Sequence, residues 1–295
     1  WPNKEIIVVD DGSTDSSLDV ARKFEGANVT VISQNNQGAC VARNRALKEA
    51  QGDYIQYLDA DDLMDSNKIE VQMRALEEAP EGSVGATRWC RFYNEIGDGP
   101  HPPVPKHWPC TDPMEWLIEA QAGQAMQPSL GWLIPASIAH QAGPWHESLH
   151  INQDGEYFAR VLLHATKIVF CPEVSVYYRS GLPNSVSARR SPAKKRSYEV
   201  LESQFQAAKS ITHHMRTHED SERVRAACAD AFQRVAYSAY PAATDIFEKA
   251  EAKVQSLGGS NFEPPGSPIF KQVGRFIGWK WAIWLRDAYW SLRYR

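Results

Sequence analysis

Ile6-Ile7-Val8-Val9-Asp10-Asp11-Gly12-Ser13-Thr14-Asp15 changes character completely between Val9 and Asp10. Four consecutive β-branched apolar residues fit a short strand buried on both faces of a parallel sheet. The polar run behind them is a turn in which Ser13, Thr14 or Asp15 can cap a helix over roughly residues 16–24. Reading outward, a second strand is expected at 29–32, a loop at 35–38 and a helix at 39–50. A third strand at 54–58 runs into Asp59-Ala60-Asp61-Asp62, and a helix over 65–79 stops at Pro80. Strand, helix, strand, helix, strand in such short alternation specifies a parallel α/β sheet. Two of its strands end in acidic clusters at the carboxyl edge, where open α/β sheets bind ligands.

Beyond Pro80 the pattern is less regular. Strand character is expected over 84–93, a Pro- and His-containing loop over 97–113, a helix over 112–121, a strand over 131–134 and a helical turn over 135–141. A helix over 156–164 precedes strands at 167–170 and 174–178. Turn formers between 181 and 192 mark a boundary, and the stretch from there to about 256 is rich in helix-forming Ala, Glu, Gln and Arg. The expected organisation is a catalytic domain over 1–185, a helical extension over 186–258, and a linker with a final helix over 259–295.

Composition narrows the function classes. The 295 residues are 43% hydrophobic and 23% charged, with a net charge of −4, an ordinary globular balance that disfavours a general nucleic-acid binder. Five scattered cysteines without a Cys-x-x-Cys pair exclude a disulfide framework and a structural zinc site, and point to a reducing compartment. No run reaches the roughly 18 apolar residues of a membrane span. Asp59, Asp61 and Asp62 concentrate negative charge that a cation or donor-rich ligand must offset. Oxygen ligands without His or Cys suit Mg2+ or Mn2+, which complete their shell with substrate phosphates. An isolated Asp-x-Asp is more often a solvated turn capping the next helix.

Here it is not isolated. Asp10-Asp11-Gly12-Ser13-Thr14-Asp15, Asn36-x-Gly38, Ala42-Arg43-Asn44, Gly52-Asp53-Tyr54-Ile55 and Leu58-Asp59-Ala60-Asp61-Asp62 follow in one order at compact spacing. Further on come Gly143-Pro144-Trp145-His146-Glu147-Ser148-Leu149 and Gln153-Asp154-Gly155-Glu156-Tyr157-Phe158-Ala159-Arg160. The set resembles the family 2 glycosyltransferases, over roughly residues 3–180. The resemblance implies a GT-A fold, with a Rossmann-like, mostly parallel sheet flanked by helices and here a helical C-terminal extension. It also implies a nucleotide-sugar donor, UDP-linked, and transfer of a hexosyl-type sugar with inversion to a glycan or lipid-linked acceptor in cell-surface polysaccharide synthesis.

By the same resemblance Asp10 and Asp11 contact the base or ribose, and Asp61 with Asp59 nearby holds the divalent cation. Arg43, on the helix after Gly38, reads either as approaching the nucleotide or diphosphate or as an exposed helix arginine. Asp154 matches the base that deprotonates the acceptor hydroxyl. Two departures stand out: Gln153 replaces a common Glu, and Glu156 places a second acid two positions after Asp154. Relative to the family, the chain also opens without an apolar strand, a Pro-x-Tyr/Phe-Asn loop and a helix, so a shortened enzyme that binds donor poorly is expected. Two other classes compete: a sugar nucleotidyltransferase, which needs a Gly-rich basic phosphate loop that is not seen, and a degenerate GT-A domain serving as a binding module.

Weaker signals complete the reading. Trp89, Trp108, Trp116 and Trp132 offer either a flat face to an acceptor sugar or core packing, and Trp145 reads as core. His213, His214 and His218 read as surface histidines. Residues 269–295 carry eight aromatics and six basic residues against Asp287 alone. That pattern fits a helix lying in a membrane interface, hence peripheral contact at the inner face of the plasma membrane from a cytoplasmic position. The competing role for this helix is packing on the catalytic domain or another subunit.

Overall fold

The computed structural model describes residues 1–99, 112–123, 125–182, 197–263, 267, 272–274, 276 and 278–285. The first unit is β1 (Ile6–Asp11), α1 (Ser17–Arg22) and β2 (Val29–Gln34), with β2 parallel to β1 in the register Ile6 opposite Val29 through Asp11 opposite Gln34. Next come α2 (Ala39–Glu49), β3 (Tyr54–Ile55), β4 (Leu63–Met64), α3 (Lys68–Glu77) and β5 (Ser83–Phe92). The chain continues through α4 (Pro113–Gln121), a 3-10 turn (Ser129–Gly131), β6 (Ile134–Pro135), α5 (Ala136–Ala142), α6 (Gln153–His164) and β7 (Lys167–Arg179). Three long helices follow, α7 (Tyr198–His218), α8 (Glu222–Ala239) and α9 (Thr244–Ser256).

Among the described residues the strands form three hydrogen-bonded groups: parallel β1–β2, antiparallel β3–β6, and β4–β7–β5, in which β7 runs parallel to β5 and antiparallel to β4. The alternating α/β order is as expected, but the ladders are mixed. The strand expected at 54–58 pairs only over Tyr54–Ile55, and the one expected at 131–134 is a 3-10 turn leading into two paired residues. The strands expected at 167–170 and 174–178 are one. Thr87 faces Cys171 and Arg88 faces Ser175, so β7 carries three extra residues, Pro172 to Val174, where its proline needs no ladder partner.

Local chemistry explains the helix starts. Asp112 accepts from the Glu115 amide at 2.9 Å ahead of Pro113. Ser197 and Ser221 cap α7 and α8 by accepting from the Val200 and Val224 amides. Helix α6 buries Tyr157, Phe158, Val161 and Leu162 along one side, and its core contacts set the site's geometry. Trp145 stacks on Tyr157 with centroids 4.2 Å apart, Trp132 stacks on Phe158 at 5.6 Å, and Trp116 meets Trp132 edge-on at 5.3 Å. Trp116, Trp132 and Trp145 are therefore core, whereas Trp89 is half-buried and donates to the Met126 carbonyl at 3.1 Å. Trp108 lies outside the described residues.

One apolar cluster runs from Cys40 to Leu257, joining the α/β part to α7–α9. Ser203 of α7 ties them further, accepting from the His150 and Ile151 amides at 2.9 and 3.0 Å and donating to the Ile151 carbonyl. Of the helix expected over 269–295, the residues described at 279–285 are helical and Ala282 and Ile283 are buried. Trp279 packs on Tyr237, Tyr240 and Phe247, and Lys280 pairs with Glu251 at 3.2 Å. Packing on the protein thus accounts for one face. Phe276, Trp281 and Trp284, 87%, 63% and 53% exposed, leave a second apolar surface open. No helix among the described residues is long and apolar enough to cross a membrane.

Candidate active site

The amino end of α2 is the hub. Asp11, the last residue of β1, accepts from the Gln34 side chain at 2.8 Å, the Gln37 amide at 2.9 Å and the Gly38 amide at 2.7 Å. Its carboxylate therefore holds the loop that launches α2. Gly12 is required beside it: its φ is +77°, and a Cβ there would lie 2.7 Å from the Asn36 nitrogen. Asp10 accepts from the Ser33 hydroxyl at 3.3 Å, and hydrogen bonding from Ser13 holds its carboxyl below the usual range.

One turn along α2, Arg43 donates to Asp59 at 2.6 Å and its guanidinium lies 4.6 Å from the Trp145 ring centroid. Burial opposes its charge, but the field of Asp59 and their hydrogen bond outweigh that and hold Arg43 above its ordinary pKa. Asn44 clamps the segment that carries Trp145: its oxygen accepts from the Trp145 amide at 2.7 Å, and its nitrogen donates to the Trp145 carbonyl and to Glu147. Cys40, whose thiol burial pushes up to about 11, donates to the Gln153 side chain at 2.9 Å. One helix thus joins the Asp11 turn, the Asp59 loop and the start of α6.

The 58–65 loop is strapped to β7. Asp62 accepts from the Arg179 amide at 2.8 Å, Arg179 donates back to the Asp61 carbonyl, and Asp65 accepts from the Ser175 amide and the Tyr177 hydroxyl. Burial pushes the Asp62 carboxyl up to about 7, with Asp59 and Asp61 adding to the rise, and among the described residues its second oxygen has no hydrogen-bond partner. Among the described residues no protein donor hydrogen-bonds to the Asp61 carboxylate, and no group of three His, Cys, Asp or Glu side chains could hold a metal. Asp59 is engaged by Arg43, so of the two only Asp61 is open, and a lone open carboxylate fits Mg2+ or Mn2+ only where phosphate oxygens and water supply most of the shell.

At the start of α6, Asn152 adopts φ +61° and folds its side chain over the helix end, so that a Cβ on Gly155 would lie 2.6 Å from its Oδ1. Asp154 is half-buried and, among the described residues, accepts only from the adjacent Gly155 amide, at 2.9 Å. Its charge is felt by both Arg43 and Cys40. Glu156 is buried and fully engaged: Arg160 donates to both its oxygens at 2.9 and 2.8 Å, and Ser210 donates at 2.8 Å. The two acids two positions apart thus have separate environments.

Of the expected site residues, Arg43 and Asp59 are in direct contact, Asp10 and Asp11 end β1, Asp61 follows Asp59 in the same segment, and Asp154 lies in the first turn of α6. Sequence reading assigned no role to Asn44, Gln153 or Arg179, and took Asp62 only as part of the acidic cluster rather than as a partner of β7. Asn44 and Asp62 lay within quoted motifs, whereas nothing local marks Arg179 as a partner of the acidic loop.

The sequence model described as Glycosyl transferase family 2 matches residues 1–148. The chain belongs to glycosyltransferase family 2. Within that family it is 44% identical over 71 residues to the cholesterol galactosyltransferase of Borreliella burgdorferi, covering 23% of this chain and 20% of that protein. It is 42% identical over 78 residues to the UDP-Glc:alpha-D-GlcNAc-diphosphoundecaprenol beta-1,3-glucosyltransferase WfaP of Escherichia coli, covering 26% of this chain and 31% of that protein. The chain therefore matches about a fifth to a third of the length of these curated relatives. In three dimensions it is similar to S. aureus TarS 1–349 in complex with UDP-GlcNAc, with a TM-score of 0.57 at 18% identity over 86% of this chain and 83% of that one. GalNAc-T7 with UDP, GalNAc and Mn2+ aligns with a TM-score of 0.50 at 15% identity over 87% of this chain and 49% of that one. These likenesses establish the GT-A fold for this family 2 chain.

Proposed function

We propose that this family 2 chain transfers a sugar from a UDP-linked donor to a glycan or lipid-linked acceptor with inversion, aided by Mn2+ or Mg2+. The observation that carries the reading is the hub at α2, which links Asp11, the Arg43–Asp59 pair and the segment of Asp154. The complexes of TarS with UDP-GlcNAc and of GalNAc-T7 with UDP and Mn2+ support the donor and the cation as classes.

In this reading Asp10 and Asp11 form the wall of the nucleoside pocket, Asp11 through the loop it holds. Arg43 fixes Asp59, and Asp61 with Asp59 nearby would hold the divalent cation. A bound cation supplies charge neutralisation for the departing diphosphate. Asp154 takes the proton from the acceptor hydroxyl as that oxygen attacks the anomeric carbon from the side opposite the leaving group. Glu156 cannot compete for that role, because Arg160 and Ser210 already occupy both its oxygens.

Calorimetric titration with UDP tests this: affinity is expected to fall strongly in EDTA and to recover with Mn2+. Equal affinity in both conditions removes the cation from the mechanism, and no UDP binding in either removes the donor reading. The open aromatic surface of Phe276, Trp281 and Trp284 supports peripheral membrane contact through 269–295. Flotation with anionic liposomes is expected to carry the chain upward at low salt and less so at high salt. A chain that stays at the bottom of the gradient at low salt leaves packing as that helix's role.

A further inference from the structure

A cavity of about 410 Å3 opens between α4, α6, α7 and α8, and Asp154 is part of its wall. Most of the lining is apolar, with Trp116, Leu117, Phe158, Val235 and Phe262 contributing. A single cation borders it among the lining residues, Arg234 of α8. Its guanidinium donates to the Gln121 carbonyl at the end of α4 and lies 5.2 Å from the Phe262 ring centroid. Nη1 is buried with no hydrogen-bond partner, and among the described residues no carboxylate lies within ion-pair distance of Arg234. Elsewhere on these helices the arginines are paired, Arg160 with Glu156, Arg216 with Asp220 and Arg223 with Glu219. Burial pulls the Arg234 guanidinium below its ordinary pKa, and the field of Asp230 offsets this only in part.

A half-buried guanidinium without a counter-ion is costly unless an anion completes it. An apolar wall beside it rewards a ligand that brings its own hydrocarbon. We propose that this cavity is the acceptor subsite and takes an acceptor in which a phosphate-like anion adjoins an apolar portion, with Arg234 pairing the anion and Trp116, Phe158 and Phe262 covering the apolar part. The inference rests on the glycosyltransferase reading above, which assigns Asp154 to the acceptor hydroxyl. It assigns acceptor selection to the helical extension, since Arg234 comes from α8 rather than from the α/β part.

Calorimetry of the full chain with three probes, octyl phosphate, octyl glucoside and inorganic phosphate, tests it. Octyl phosphate is expected to bind at least about 10-fold more tightly than either other probe, since only it satisfies both halves of the site. Arg234→Gln should weaken octyl phosphate about 10- to 100-fold, the range of a charge-assisted hydrogen bond, and Arg234→Lys should restore most of the loss. Asp154→Asn, which removes a like charge from the same wall, should tighten it. Should Arg234→Gln fail to fold, the salt dependence of octyl phosphate against octyl glucoside on the unmodified chain reads the same charge. Equal binding of octyl phosphate and octyl glucoside, or an Arg234→Gln protein that binds octyl phosphate normally, overturns the proposal and leaves Arg234 as a strut between α8 and α4. If octyl phosphate binds through Arg234 while UDP does not bind, the ligand chemistry of the cavity stands, and its role as an acceptor subsite falls with the donor reading.

Discussion

Asp154 and Glu156 sit on the same turn of one helix, yet their surroundings give them different work. Glu156 is closed off by Arg160 and Ser210, and Asp154 borders a cavity with, among the described residues, only a neighbouring amide on its carboxylate. Asp154→Asn is therefore expected to lower transfer about 100- to 10,000-fold, the usual worth of a general base, with nucleotide affinity little changed. Glu156→Ala should instead cost about 1–3 kcal/mol of stability by removing the carboxylate from Arg160 and Ser210, with Arg160 keeping the Ala142 and Pro144 carbonyls, while turnover per folded molecule is retained. Kinetics at fixed folded fraction, alongside denaturant melts, separate the two effects. A Glu156→Ala enzyme as inactive as Asp154→Asn while still folded reopens the assignment.

At the scale of elements, α3 holds the least expected feature, a lysine with no exposed surface. Lys68 donates to the Gln56 side chain and, at 3.4 Å, to the Trp132 carbonyl, and burial pushes its ammonium down to about 7. Below that value both the folded and the unfolded chain carry the proton. Between about 7 and the ordinary lysine value near 10.5 the unfolded chain binds a proton that the folded one lacks, so stability rises with pH. The expected slope from this group is at most about 1.4 kcal/mol per pH unit. Urea melts at pH 7 and 9 measure it, and Lys68→Met should remove that increment. An unchanged slope in the variant would mean that Lys68 keeps its proton in the fold. The short β3 and β6 pairing and the straps from Asp62 and Asp65 to β7 complete this layer, holding the acidic loop where ladder bonds are few.

Across the whole molecule, the division into a catalytic domain and a helical extension is a division of sequence more than of packing. The apolar cluster is continuous from Cys40 to Leu257, and Ser203 of α7 satisfies the backbone just before α6. A single cooperative thermal transition is expected, with calorimetric and van't Hoff enthalpies equal. Residues 1–182 expressed alone should expose the α6 face that α7 covers and aggregate. Two resolved transitions, or a soluble folded 1–182 fragment, would show that the extension is an independent unit.

Much of the site was legible from local order alone. The apolar run before Asp10, the acids after residue 58 and the helix start at Asp112 are short-range consequences of strand burial, charge and capping, which operate within a few residues. The separate starts at Ser197 and Ser221 were not picked out of a stretch rich in helix formers. Sequence also placed Asp154 near a helix start. What it left undecided were partners far apart in the chain. Arg43 could equally have been an exposed helix arginine until Asp59 and Trp145 closed on it, and Glu156 remained a rival base until Arg160 and Ser210 occupied it. Arg179 carries no local sign that it braces the acidic loop, and Arg234 none that it borders the cavity of Asp154. A side chain's charge is written in the sequence, but whether that charge is paired, buried or left open depends on which distant element packs against it, and that only the tertiary structure decides.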